Sequence, residues 1–233
     1  MNRTPLNGIF ISKMTSKVHS NKPLLILLYG FPGAGKTHFS RNMTSDLDSA
    51  HVHSDRIRHE LFEEPRFDAQ ENGIVDHLMK YMTEEFLSAG VSVIYDTNML
   101  RKSDRHAMRE MARKKGAQTL LIWFQVDADT AFKRLGNRDR RTADDKYAAE
   151  YSKEDFRTYA SRMQQPEPTE NYVVVSGKHT FKSQRNTVFK KLLVEGYISS
   201  QEGQAKIGKP GMVNLVPKNL GRVDMSRRNI SIR

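Results

Sequence analysis

The sequence GFPGAGKT at residues 30–37 constrains the fold of this chain more than any other stretch. It satisfies the pattern G-x-x-x-x-G-K-[ST], in which glycines let backbone N–H groups turn inward around a phosphate group. The apolar run PLLILLYG at residues 23–30 predicts a buried parallel strand directly before it. The stretch THFSRNMTSDL predicts a helix directly after it, with the positive end of its dipole near Lys36. A strand, a phosphate-binding loop and a helix are therefore expected in this order.

The phosphate-binding loop predicts which residues hold a nucleotide and its metal ion. Lys36 is expected to reach the β- and γ-phosphates of ATP, and Thr37 to offer its hydroxyl to Mg²⁺. The alternative is a glycine turn that binds no ligand, which the complete pattern between a strand and a helix disfavours. The predicted nucleotide-binding residues are Gly30, Gly33, Ala34, Gly35, Lys36, Thr37 and His38.

Apolar runs alternate with amphipathic stretches along the rest of the chain. Further strands are predicted at residues 51–55, 91–97, 118–126 and 171–177. Further helices are predicted at residues 70–89, 102–116, 127–138, 152–165 and 182–198. This alternation predicts an α/β fold with a parallel sheet, helices on both faces and right-handed crossovers. We expect one domain at residues 23–198, between an N-terminal tail at 1–22 and a C-terminal tail at 199–233.

The formal net charge of +11 is concentrated at the two ends of the chain. Residues 1–22 carry +4 and residues 201–233 carry +5, so the 178 residues between them carry only +2. Basic ends can contact nucleic-acid phosphates, although the simpler interpretation is that they are solvated tails. The sequence shows no membrane-spanning run and no secretory signal, and it contains no cysteine for disulfides or thiolate metal sites. We therefore expect a cytoplasmic protein without membrane contact.

The sequence lacks the signatures of two other classes of nucleotide-binding protein. A GTPase carries an N-K-x-D motif that reads guanine, and none is present. A motor ATPase usually places a Glu directly after the Asp that ends an apolar strand, whereas Asp96 is followed by Thr97 and Asn98. The sequence thus favours phosphoryl transfer to a bound acceptor over hydrolysis. The alternative is a nucleotide-dependent regulatory or binding ATPase without a dedicated acceptor.

The segment HSDRIRHELF supplies a carboxylate for such an acceptor. Asp55 follows a predicted strand and can take the proton of an acceptor hydroxyl. Arg58 lies three residues later on the same face of a helix, where it can hold a phosphate of the acceptor or orient Asp55. The competing interpretation is that Asp55 serves only as a helix N-cap.

A polar patch after the fourth predicted strand contains the segment KRLGNRDRR. Arg134 and Arg138 lie four residues apart on a predicted helix face, and Arg141 follows them. A small phosphotransferase needs a cationic lid over the transferred phosphoryl group, both to stabilise its charge and to exclude water. We expect this lid at about residues 136–150, with a solvated basic stretch as the alternative.

Four segments together resemble one group of P-loop kinases. They are GFPGAGKT, HSDRIRHELF, VSVIYDTNMLRKSDRHAMREMARKKG and FKRLGNRDRR. They look like the kinases related to the kinase domain of phage polynucleotide 5′-kinase, a group that includes zeta-toxin-like and chloramphenicol-phosphotransferase-like enzymes. The resemblance covers about residues 23–196 and implies a P-loop fold with five parallel strands in the order 2-3-1-4-5.

The resemblance also implies roles for individual residues. Asp55 would be the general base toward the acceptor hydroxyl, and Arg58 would help to hold the acceptor. Arg138 would stabilise the transition state from the lid, with Arg134 as the second choice. The segment that would line the acceptor site is Asp96, Thr97 and Asn98.

We interpret the chain as an ATP- and Mg²⁺-dependent kinase that acts on a hydroxyl group. Thr37 is the predicted magnesium ligand, and Asp96 assists through water. A polynucleotide 5′-hydroxyl fits the resemblance and the basic ends, whereas a small molecule fits the nearly neutral domain. The sequence indicates no oligomeric state.

His51 and His53 alternate on the second predicted strand and share one face near Asp55. Two imidazoles at this spacing can hold a metal ion. We favour packing or surface histidines instead, because the sequence shows no third ligand nearby.

Overall fold

The computed structural model describes residues 17–139, 141–142 and 146–207, and its centre is a five-stranded parallel sheet. The strands are β1 (Leu24–Tyr29), β2 (Ala50–His53), β3 (Val93–Asn98), β4 (Gln118–Gln125) and β5 (Tyr172–Ser176). Their order is β2-β3-β1-β4-β5, which confirms the predicted α/β fold and strand order. All four neighbouring pairs run parallel, so a crossover connects each strand to the next along the chain.

Eight helices flank the strands within the described residues. They are α1 (Lys36–Met43), α2 (Ser54–Leu61), α3 (Ala69–Ser88), α4 (Lys102–Lys114), α5 (Ala128–Gly136), α6 (Lys153–Ser161), α7 (Phe181–Val194) and α8 (Ser200–Lys206). The predicted helix at 182–198 ends early, because Gly196 takes a left-handed φ of 67° just beyond the end of α7. Within these ranges, no helix has the length and apolar character needed to cross a membrane.

β1 is buried along its whole length and contributes to both halves of the core. Leu24 and Ile26 face one side of the sheet and pack with apolar residues of α1 and α7. Leu25 and Leu27 face the other side and pack with apolar residues of α3 and α4. Alternate side chains of a strand point to opposite faces, so the unbroken apolar run fits a strand that helices cover on both sides.

The carboxyl ends of β1, β2 and β3 meet at one edge of the sheet, because the three strands are neighbours and parallel. β1 leads into the glycine-rich loop at Gly30, β2 leads directly into α2, and β3 ends at Asn98. In open parallel sheets this edge is the usual ligand site. It brings the phosphate-binding loop, Asp55 and the Asp-Thr-Asn segment to one place.

α8 follows the predicted domain boundary at residue 198 and packs against α7. Lys206 Nζ lies 2.8 Å from Asp46 Oδ1, and Arg185 donates a hydrogen bond to Asp46 Oδ2 at 3.0 Å. Arg185 also donates to the backbone oxygen of Lys206 at 2.8 Å. α8 is therefore part of the packed domain, while residues 1–16 and 208–233 of the predicted tails lie outside the described residues.

Candidate active site

The glycine-rich loop between β1 and α1 takes backbone conformations that other residues rarely adopt. Gly33 has a φ of 82°, and a Cβ atom there would collide with the backbone oxygen of Ala131. Gly35 has a φ of 94° and occupies the N-cap of α1. Because α1 begins at Lys36, the backbone N–H groups of its first turn lie next to the loop, where they can bind a phosphate.

Lys36 makes contacts with the carbonyl groups of its own loop. Its Nζ donates to the backbone oxygens of Gly30 and Phe31 at 2.8 and 2.9 Å. Burial lowers the pKa of Lys36 to about 8, and the carboxylate of Asp96 opposes this shift. A bound phosphate would add negative charge and so favour the protonated ammonium group.

A polar cleft beside the loop has two sections of about 190 and 120 Å³. The sections share Thr37, His53, Asp55 and Arg138, so they form one continuous site. The predicted site residues that line the cleft are Gly33, Gly35, Lys36, Thr37, His38, Asp55, Asp96, Thr97, Asn98, Arg134 and Arg138. Residues from separate segments of the sequence therefore meet here.

Asp55 is the second residue of α2 and lines both sections of the cleft. His53 occupies the N-cap of α2, so the interpretation of Asp55 as the N-cap does not hold. Burial raises the pKa of Asp55, the nearby His53 opposes this shift, and the carboxylate of Asp96 adds to it. A carboxylate with a raised pKa is a better proton acceptor than an exposed one, because its affinity for a proton is higher.

Asp96 lies in β3, is 3% exposed, and directs its two carboxylate oxygens to different partners. Oδ1 accepts a hydrogen bond from Thr37 Oγ1 at 3.4 Å, and Oδ2 lies 2.8 Å from His51 Nε2. Thr37 and Asp96 thus offer a hydroxyl and a carboxylate at one place, and oxygen ligands are those that Mg²⁺ takes in proteins. The two residues fit a magnesium ion held directly or through water.

Asn98 holds the start of the phosphate-binding loop, because its Oδ1 accepts a hydrogen bond from the Gly30 N–H at 3.1 Å. Tyr151 and Tyr159 line the same section of the cleft as Asn98. Burial raises the pKa of both tyrosines, so their hydroxyls stay protonated and can donate hydrogen bonds. The sequence alone does not mark these tyrosines as site residues, since their spacing is equally typical of residues that only pack.

Arg58 is 4% exposed and contacts the start of α3. Its guanidinium donates to Glu71 Oε2 at 3.1 Å and to Asn72 Oδ1 at 2.5 Å, and it lies over the ring of Phe67 at 4.6 Å. These contacts hold α2 against α3. The structure therefore gives Arg58 a packing role, and its direct contact with an acceptor stays a prediction.

Two arginines of the predicted lid region reach the cleft. Arg134 lines the larger section and donates to a backbone carbonyl after β5 at 2.8 Å. Arg138 lines both sections and donates to the backbone oxygen of Ala149 at 3.0 Å. The side chain of Arg141 is 91% exposed and pairs with a neighbouring carboxylate. The structure thus brings Arg134 and Arg138 to the cleft and leaves Arg141 at the surface.

A larger cavity of about 630 Å³ adjoins the loop at Gly30 and Phe31. Aromatic and apolar side chains such as Trp123 and Met163 contribute much of its lining. Of the predicted site residues in the described structure, Gly30 alone lines it. The smaller polar cleft is therefore the candidate active site, because it contains the carboxylates, the lysine and the arginines.

Residues 25–166 match the AAA_33 family, which is described as an AAA domain. This chain belongs to that family. The matched AAA_33 region begins in β1 and extends beyond α6, so it contains all the residues that line the polar cleft. The predicted membership in a P-loop kinase family is confirmed. No curated protein matches the sequence.

Solved structures share the fold of this AAA_33 protein at low sequence identity. Kti12 from Chaetomium thermophilum, in complex with ADP-AlF3, is 15% identical, with a TM-score of 0.55 over 76% of this chain and 100% of that one. A gluconokinase from Sinorhizobium meliloti is 12% identical, with a TM-score of 0.54 over 75% of this chain and 93% of that one. The Pnkp1/Rnl/Hen1 RNA repair complex is 20% identical, with a TM-score of 0.51 over 60% of this chain and 44% of that one. These similarities show the fold alone.

Proposed function

We propose that this AAA_33 domain transfers the γ-phosphate of ATP to a hydroxyl group of an acceptor. The observation that carries the proposal is the position of Asp55 in the same cleft as Lys36, Thr37 and Arg138. A protein that only holds a nucleotide does not need a half-buried carboxylate such as Asp55 in this cleft, because its charge would repel the phosphates. A kinase needs such a carboxylate to take a proton from the acceptor.

In the proposed reaction, the acceptor oxygen forms a bond to the γ-phosphorus while the bond to the β,γ-bridging oxygen breaks. Asp55 accepts the hydroxyl proton, and ADP departs with the bridging oxygen. Lys36 neutralises negative charge on the β- and γ-phosphates. Thr37, with Asp96 assisting through water, would hold Mg²⁺, whose charge would add to that of Lys36 against the phosphates.

Arg138 supports the same reaction from the lid. Charge spreads over the oxygens of the transferred phosphoryl group, and a guanidinium that lines both sections of the cleft can stabilise it. Arg134 is the second candidate for this role. Tyr151 and Tyr159 line the cleft, where their rings can help to exclude water from the reacting groups.

The proposed acceptor is a polynucleotide 5′-hydroxyl or a small molecule. A gluconokinase and an RNA repair complex share the fold, so the fold does not separate the two classes. The rings of Tyr151 and Tyr159 can stack on a base, which supports a nucleic acid. The nearly neutral domain supports a small molecule. A cytoplasmic location stays a prediction from composition.

Replacement of Asp55 tests the proposal. Asp55→Asn is expected to slow phosphoryl transfer by about 10²–10⁴-fold, because an amide cannot accept the proton. Lys36→Ala is expected to weaken ATP binding and transfer together, because it removes the charge that faces the phosphates. The assay incubates the full chain with γ-labelled ATP, Mg²⁺ and a panel of RNA, DNA and small-molecule hydroxyls.

Asp104→Asn is the matched control. Asp104 lies in the first turn of α4 and accepts a hydrogen bond from the preceding serine, as Asp55 does in α2, but it is exposed and outside the cleft. This variant should transfer label at the rate of the wild type. If Asp55→Asn is as fast as the wild type, Asp55 is not the base. Nucleotide-dependent partner binding with no labelled acceptor would support the regulatory or binding ATPase instead.

A further inference from the structure

Two histidines of β2 and a carboxylate of β3 form a cluster beside the phosphate-binding loop. His51 and His53 alternate on β2, so they share one face, and their parallel rings have centroids 5.4 Å apart. His53 is in register with Asp96 of the neighbouring strand. One ligand atom from each of the three residues lies within 4.8 Å of the others. The third ligand that the local sequence lacks therefore comes from the neighbouring strand of the sheet.

The separations between these atoms suit a transition-metal ion. Asp96 Oδ2 lies 2.8 Å from His51 Nε2 and 4.0 Å from His53 Nε2. Two ligands that are each about 2.0 Å from a tetrahedral Zn²⁺ lie about 3.3 Å from each other. The two observed separations lie on either side of this value, and the ligand nitrogens of the two histidines lie within 4.8 Å of each other, so side-chain rotations would bring the three atoms to bonding distance.

The burial of the cluster also suits a metal ion. His53 is 9% exposed and Asp96 is 3% exposed, so water competes little for their ligand atoms. The side chain of His51 is 21% exposed, and His53 and Asp96 line the cleft, so an ion can enter from the cleft and keep a water molecule as a further ligand. Three protein ligands with one open position are typical of zinc sites that are not purely structural.

We propose that His51, His53 and Asp96 bind a divalent transition-metal ion of the Zn²⁺ class, at a site distinct from the magnesium site proposed at Thr37. Imidazole nitrogens favour such ions, whereas Mg²⁺ prefers oxygen ligands. Asp96 directs Oδ2 to the histidines and Oδ1 to Thr37, so one carboxylate would join the two sites. An ion bound to the histidines would fix the orientation of the carboxylate that assists magnesium. This binding does not depend on the proposed kinase activity.

The competing explanation is a hydrogen bond between His51 and Asp96 without a metal ion. It accounts for the contact of 2.8 Å. It does not explain why the ring of His53 is parallel to that of His51, or why its Nε2 is 4.0 Å from the same oxygen.

Titration of the nucleotide-free full chain with Co²⁺ tests the site, because tetrahedral Co²⁺ absorbs visible light and reports its ligands directly. The wild type is expected to bind one Co²⁺ with saturable visible bands, which Zn²⁺ abolishes by displacement. His51→Asn and His53→Asn are each expected to weaken this binding by at least about tenfold, because each removes one ligand. Circular dichroism verifies the fold of each variant.

His19→Asn is the matched control. His19 Nδ1 lies 3.2 Å from Asp48 Oδ2, and both side chains are more than half exposed, so this variant removes a histidine–carboxylate contact outside the three-residue cluster. It should bind Co²⁺ as the wild type does. Absence of a saturable signal in the wild type, or unchanged affinity in His51→Asn, would overturn the proposal in favour of the hydrogen bond. His51→Asn carries the test if His53→Asn unfolds, because His51 is the more exposed of the two.

Discussion

Asp55 and Asp96 are two carboxylates in one cleft with different surroundings. Asp96 is 3% exposed, and its oxygens contact Thr37 and His51. Asp55 accepts a long hydrogen bond of 3.5 Å from the Ser54 hydroxyl, and burial raises its pKa. The difference fits a division of roles in which Asp96 holds a cation and Asp55 accepts a proton.

At the residue scale, the structure predicts that Arg58 contributes to the stability of the fold more than to binding of the acceptor. Arg58→Ala is expected to lower the free energy of unfolding by about 3 kcal/mol, the usual size for breaking a buried ion pair. Urea denaturation of the full chain measures the change. Arg56→Ala is the matched control in the same helix, because Arg56 forms an exposed pair with Glu60 that is worth at most about 0.5 kcal/mol. A variant Arg58→Ala with normal stability but a raised KM for the acceptor would instead support acceptor binding.

At the scale of elements, Glu170 joins the segment before β5 to α4. Arg105 donates to both oxygens of Glu170 at 2.8 Å, and Arg109 donates at 2.5 Å. Arg105 is fully buried and also donates to the backbone oxygen of Met99, directly after the Asp-Thr-Asn segment. This ion cluster therefore holds the backbone directly after a segment that lines the cleft.

Protonation of Glu170 at low pH should lower the free energy of unfolding of the protein. Burial raises the pKa of Glu170, but the hydrogen bonds from Arg105, Arg109 and the Glu167 N–H, together with the charge of Arg105, outweigh this effect and hold the pKa at about 2. Because the folded-state pKa lies below the ordinary value of 4.5, the stabilisation is complete above pH 4.5 and is lost as the pH falls toward 2. Glu170→Gln is expected to lower the free energy of unfolding by about 3 kcal/mol at pH 7. The difference from the wild type should shrink as the pH falls through this window.

Denaturation curves at several pH values measure this response. Glu167→Gln is the control, because Glu167 pairs with Lys102 at a site where both side chains are about half exposed. It should change stability by at most about 0.5 kcal/mol at any pH. If the free energies of unfolding of Glu170→Gln and the wild type differ by the same amount at every pH, the pKa of Glu170 is not lowered by folding.

At the scale of the whole molecule, much of the excess positive charge lies outside a nearly neutral domain. Residues 208–233 carry six Lys or Arg and one Asp. The domain itself extends to α8, where Lys206 and Arg185 both contact Asp46. A truncation that probes the basic C-terminal tail should therefore begin after α8 and not at residue 199.

Deletion of residues 208–233 is expected to leave the free energy of unfolding unchanged within about 0.5 kcal/mol, because α8 and its ion pairs remain. If the acceptor is a nucleic acid, the deletion should weaken its binding. The logarithm of the binding constant should also fall less steeply with the logarithm of the salt concentration. The slope should change by about 0.7 for each phosphate on a single strand that the tail neutralises. Fluorescence anisotropy with labelled RNA and DNA at several salt concentrations measures the affinity and the slope.

Unchanged affinity and salt slope in this deletion would show that the tail binds no phosphates of the nucleic acid. A longer deletion from residue 199 serves as the comparison. It should lower stability, because it also removes α8 and the ion pair between Lys206 and Asp46.

Sequence patterns predicted the class of fold and the chemistry of the phosphate-binding loop. Continuous apolar runs indicated buried parallel strands, and the pattern from Gly30 to Thr37 indicated a phosphate site. The resemblance to P-loop kinases added the strand order, which the sheet confirms. The ends of helices were predicted less accurately, since α1 ends at Met43 and α6 at Ser161, several residues before the predicted ends.

The sequence by itself determined the alternation of strands and helices as far as α7, the loop that holds phosphate and the carboxylates near it. Only the tertiary structure decided that Arg58 contacts Glu71 and that Asp96 completes a cluster with His51 and His53. The physical reason is that periodicity and spacing describe neighbours along the chain. Partners across a parallel sheet, or between two helices, depend on strand order and register, which arise when the whole chain packs.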